Sequence, residues 1–92
     1  MVRVKNLHNT TGRTPDGYSS WKEYWEAYTG RKWPTYCDVC GCSREAEVGA
    51  HVKKVGVYDN RWYIVPLCAY HNSSYYEDEF LVREEDLVPV ND

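Results

Sequence analysis

Cys37 and Cys40 enclose two residues, Asp38 and Val39, and Gly41 follows them. This is the Cys-x-x-Cys-Gly form of a zinc knuckle. A tight turn aims two sulfurs at one ion, and glycine supplies the backbone freedom to finish the turn. Cys68 and His71 form a second pair with the same spacing, 27 residues lying between Cys40 and Cys68. Four soft or borderline ligands in two pairs suit tetrahedral Zn²⁺ at a closed, structural site. Closed coordination leaves that ion no open position for catalysis. Cys42 stands two residues past Cys40, and two readings of it stay open. It is either a replacement for His71 as fourth ligand or a buried free thiol.

The rest of the chain explains why a metal staple is needed. Leu, Ile, Val and Phe number only seventeen of 92 residues, so the aliphatic core is thin, while four Trp and nine Tyr add large amphipathic rings. Single domains of this size often need a disulfide or a metal. No apolar run approaches the roughly 20 residues of a membrane span, so no membrane partner is expected. The 92 residues read as one small domain and not as a large multidomain enzyme, and a monomer is assumed. The opening Met-Val-Arg-Val-Lys-Asn offers no secretory signal. A cytoplasmic, reducing location is therefore expected, in which metal ligation outranks disulfides. Net charge is −3, but residues 1–72 carry +3 and residues 73–92 carry −6. The acidic end reads as a solvated tail, or as one that folds over a basic face.

Several elements must position the ligands. Residues 1–17 read as a loosely ordered lead-in, with a short strand over Val2–Leu7 and turn residues from His8 to Gly12 and at Pro15-Asp16-Gly17. Ser20-Trp21-Lys22-Glu23 matches a capping box. Trp21, Tyr24, Trp25 and Tyr28 then follow at helical spacing, and Gly30 ends the helix. This aromatic helix, within 18–30, is expected to pack over the zinc module. Val48, Ala50 and Val52 alternate with Gly49, His51 and Lys53, giving a strand with one apolar face. Arg61–Val65 is rich in aromatic and β-branched residues and makes the return strand of an antiparallel hairpin. Pro66 is expected to stop the ladder, and Cys68 to open a helix running toward Glu79. Phe80–Val82 and Leu87–Val90 are too short and too acidic to place, and residues 81–92 read as an acidic tail.

Knuckle, His-bearing strand, return strand and Pro-Leu-Cys-x-x-His-Asn follow one another in that order over Cys37–Asn72. In this the sequence resembles the zinc-bearing branch of the HNH endonucleases, the ββα-metal or His-Me finger family. The resemblance implies an α+β fold: a small zinc-stapled ββα-metal finger over 37–80, with an additional N-terminal aromatic helix, all in one domain of residues 1–92. It implies that Cys37, Cys40, Cys68 and His71 hold structural zinc, that His51 is the general base, and that Asn72 ligates a catalytic Mg²⁺ or Mn²⁺. The sequence departs from the family at Ala50, where an Asp commonly precedes the base, at Tyr63, where an Asn is usual, and at Asn72, where the final His would stand.

Phosphodiester hydrolysis needs a base for water and a cation for the charge developing on the phosphate. His51 and an Asn72 carbonyl suit those roles, and Lys53, Lys54 and Arg61 on the hairpin suit phosphate contacts with DNA or RNA. The sequence thus points to metal-dependent nucleic-acid hydrolysis, or to a module of the same design that binds nucleic acid or a protein without cleaving.

Overall fold

The computed structural model of the chain describes residues 1–7, 15, 17–73 and 75–90. The turn residues His8–Gly12 and Asp16 lie outside the described residues. Five strands, β1 (Val2–Asn6), β2 (Val48–Lys54), β3 (Tyr63–Leu67), β4 (Phe80–Val82) and β5 (Val88–Pro89), build one antiparallel sheet in the order β4-β1-β2-β3-β5. One α-helix, α1 (Trp21–Thr29), packs on it, and a 3₁₀ turn, Glu84–Asp86, joins β4 to β5. No helix among the described residues is long and apolar enough to cross a membrane.

The β2–β3 hairpin forms in the register Val48↔Leu67 to Val52↔Tyr63. Its two faces do different work. Val48, Ala50 and Val52 join Tyr63, Val65 and Leu67 in a core that also takes in Val4, Phe80, Val82 and the buried Cys37 and Cys68. Ile64 points the other way and packs with Trp25, Val88, Trp21, Tyr24 and Trp33 under the helix. Helix and cysteines therefore lie on opposite faces of the sheet, and α1 does not cover the metal-ligating residues as the sequence leads one to expect. The capped ends are as read. Ser20 Oγ accepts from the Glu23 N–H at 3.2 Å, and Gly30 closes the helix in the left-handed conformation, φ 69°. Gly49 is a packing requirement: a Cβ there would stand 2.7 Å from Trp21 Cβ, so its absence lets the helix approach β2.

Further expectations are overturned: the strand within the lead-in read as loosely ordered is β1, paired on both sides by β2 and β4. Pro66 does not stop the ladder but lies inside β3 opposite Gly49. The Pro66 carbonyl accepts from the Asp38 N–H at 2.9 Å, so that residue's polar edge points away from β2. Beyond it β5 reaches only Tyr63 and Ile64. The missing N–H falls where no ladder bond is needed, which is how a strand tolerates proline. The helix expected from Cys68 is likewise absent. Asn72 N–H bonds to the Cys68 carbonyl at 3.1 Å, a single helical turn, and the described residues from there to Glu79 form no helix. Asn72, Ser73, Tyr75 and Tyr76 are poor helix formers, and short polar side chains compete for the backbone.

The acid-rich end is structural rather than a free tail. β4 and β5 close the two edges of the sheet, with Val82 and Val88 fully buried. Trp25 Nε1 donates to the Asp86 carbonyl at 2.9 Å and Tyr24 Oη to the Pro89 carbonyl at 2.7 Å, tying the aromatic helix to this segment. Asp86, itself buried, is ion-paired with Arg31 at 2.8 Å.

Candidate metal centre

The ligand-bearing segments are brought together from both sides of the hairpin. Residues 37–42 are pinned by Cys37 N–H to Arg44 O, Asp38 N–H to Pro66 O, and Cys40 N–H to Leu81 O. The knuckle closes through Cys42 N–H to Val39 O, with Gly41 at φ 85°. Cys68 follows β3 directly, and the turn after it returns His71 to the same place. From the other side, Asn6 of β1 donates through Nδ2 to the His71 carbonyl and, at 3.5 Å, to that of Tyr76.

Cys37, Cys42, Cys68 and His71 form the group that results, all four donor atoms lying within 4.8 Å of one another. Cys40 is not part of it; its side chain is exposed. The sequence reading of the knuckle is corrected at this one position. The turn at Gly41 carries Cys42 back toward Cys68 and leaves Cys40 outside, so the spacing in use is Cys-x₄-Cys. Cys42 displaces Cys40 and not His71. The signal was present in the sequence as a third cysteine two residues on, but spacing alone does not say which side of the turn faces inward.

Three of the separations lie close to those around a bound ion. Cys42 Sγ to Cys68 Sγ is 3.9 Å, Cys37 Sγ to His71 Nδ1 is 3.7 Å and Cys68 Sγ to His71 Nδ1 is 3.2 Å. A zinc tetrahedron with ordinary Zn–S and Zn–N bonds has edges of about 3.8 Å between sulfurs and about 3.6 Å between sulfur and nitrogen. Three thiols and an imidazole held at those distances can coordinate a metal such as zinc.

The local electrostatics are compatible with a bound cation. Burial pushes the Cys37 thiol up to about 12, so a thiolate there is costly without a positive partner. Burial also opposes the Cys68 thiolate, but the His71 backbone N–H and the Cys37 and Cys42 thiols outweigh it and hold the group below the ordinary range. Burial, with Arg44 nearby, depresses His71 and favours the neutral ring that a metal needs. Around the ring pack Tyr70, Tyr76 and Phe80, with centroids 4.9 to 6.1 Å away.

The remaining sequence-derived candidates scatter. His51 is buried on the helix side of the sheet, its ring edge-on to Trp21 at 4.8 Å and to Trp62 at 6.0 Å. Asn72 is exposed on the turn beside His71, which belongs to the opposite side. Lys54 is drawn over the Tyr63 ring at 5.0 Å and lies 3.9 Å from Asp59, while Arg61 is ion-paired with the same Asp59 at 3.3 Å. Only Lys53 of the three hairpin cations stands free of an ion pair among the described residues. The sequence reading missed Asn6, whose role depends on a pairing with β2 across nearly fifty residues. Compared with protein-family models, with curated proteins and with solved structures, the chain matches none of them. The likeness to HNH endonucleases thus rests on the residues of Cys37–Asn72 themselves.

Proposed function

We propose that the chain is a small zinc-stapled module that contacts nucleic acid without cleaving it. The observation that carries this reading is the four-donor group of Cys37, Cys42, Cys68 and His71. With every position supplied by the protein, the ion serves as a staple. Its binding supplies folding free energy that a thin core lacks, on the order of 10 kcal/mol for structural zinc sites. A general base must also reach water and substrate, whereas His51 is only 7% exposed. What supports nucleic acid over a protein partner is the exposed Lys53, which no acid neutralises among the described residues.

A second reading, the metal-dependent HNH-type nuclease of a ββα-metal finger, keeps one observation in its favour. His51 stands on the first strand of an antiparallel hairpin whose second strand leads directly into Cys68 and His71. That is the order the resemblance implies, with the single turn at Cys68–Asn72 in place of the family's helix. The zinc-loaded protein, titrated with a labelled oligonucleotide and assayed for plasmid nicking in Mg²⁺ or Mn²⁺, separates the two. Salt-sensitive binding with no nicking is expected. Nicking that disappears in His51→Ala and in Asn72→Ala would replace the binding module with the nuclease.

A further inference from the structure

The pairing of β1 with β2 sets Lys5 directly across from Lys53. Side chains alternate along each strand, and Asn6 and Val52, the next pair, are buried on the core side. Lys5 and Lys53 therefore share the opposite face, with Cβ atoms about 5 Å apart as cross-strand pairs are. Like charges in that position destabilise a sheet. Neither lysine has an ion pair among the described residues.

Both lysines line one hollow of about 340 Å³ at the sheet end, with the Val55–Val57 loop, Lys54, Asp59, Asn60 and Glu79. The acids of that hollow are already engaged. Asp59 accepts from Tyr63 Oη at 2.5 Å and from Arg61, and lies near Lys54. Glu79 is 3.9 Å from Arg3. The hollow thus keeps two lysines from adjacent strands without an acid partner among the described residues, an arrangement that an anionic phosphate oxygen relieves.

We infer that the Lys5–Lys53 hollow is a phosphate site, filled by a backbone phosphate of a nucleic-acid strand. This rests on the binding function proposed above and locates it on an element, β1, outside the Cys37–Asn72 stretch. Lysines that neutralise phosphates release counterions, so deleting one of them reduces the slope of log affinity for a single strand against log salt by about 0.7.

The test is an NMR titration of the zinc-loaded full chain with a twelve-residue oligothymidylate and, separately, with inorganic pyrophosphate. Shifts centred on Lys5, Lys53 and Val55–Val57 with both probes are expected. Lys5→Ala and Lys53→Ala should each weaken the oligonucleotide several-fold and reduce its salt slope, Glu79→Gln should strengthen it, and Lys22→Ala on the exposed helix face should change nothing. Pyrophosphate shifts without oligonucleotide binding would keep the anion site and overturn the nucleic-acid function. Oligonucleotide binding that leaves these amides unmoved, with both lysine variants at wild-type affinity, would overturn the site and keep the function. No response to either probe would overturn both.

Discussion

Asn6 Nδ2 donates a hydrogen bond to the main-chain carbonyl of His71, 65 residues along the chain. Asn6 is buried at the end of β1, so the first strand of the sheet holds the turn that presents the last of the four metal donors. Groups that orient metal ligands typically matter ten- to hundredfold in affinity. Asn6→Ala is therefore expected to weaken zinc binding about tenfold with the stoichiometry kept at one, read by competition with a chromophoric chelator. Unchanged affinity would mean that the turn is held by Cys68 and His71 alone.

Gly49 gives the helix its approach to the sheet. Overpacking of a filled contact costs typically ~1–3 kcal/mol, and the loss at Gly49→Ala is expected in that range because the new methyl meets Trp21 Cβ, next to the helix backbone, and not the far end of a flexible side chain. Denaturant unfolding of the zinc-loaded variant measures it. A neutral substitution would show that α1 rides on the sheet more loosely than the 2.7 Å approach implies.

Asp38 gives the stability a pH dependence. Burial, then the neighbouring Asp86, pushes the Asp38 carboxyl up to about 8, against the Arg83 N–H that favours its charge. A carboxyl with a raised folded-state value binds more protons folded than unfolded, so stability falls as pH rises from about 4 toward about 8. Asn keeps the shape and donor of the protonated acid and does not titrate. Asp38→Asn should therefore gain on the wild type as pH rises through that window, the advantage levelling off above about 8. Its size should be on the order of 1 kcal/mol for a partly exposed group. Thermal melts of both proteins across the window read the divergence, and parallel curves would remove the shift.

Much of this was legible in the sequence where the determinants are local. The Ser20 cap, the Gly30 stop, the alternation of Val48, Ala50 and Val52, and the crowding of cysteines around residue 40 each depend on residues a few positions apart. What was hidden depends on distant partners. Pro66 reads as a breaker until the open edge beside it is known, and Phe80–Val82 reads as part of an acidic tail until β1 is there to pair with it. Lys5 and Asn6 carry no signal of their own, because their neighbours are residues 53 and 71. The choice between Cys40 and Cys42 turned on the direction of one turn.

That choice also supplies the most direct test of the metal centre. Zinc content of the purified protein, measured by elemental analysis alongside its thermal transition, should be one per chain in the wild type and in Cys40→Ser. In Cys42→Ser the zinc and the cooperative transition should both be lost. Retention of zinc in Cys42→Ser with loss in Cys40→Ser would contradict the Cys37, Cys42, Cys68 and His71 group.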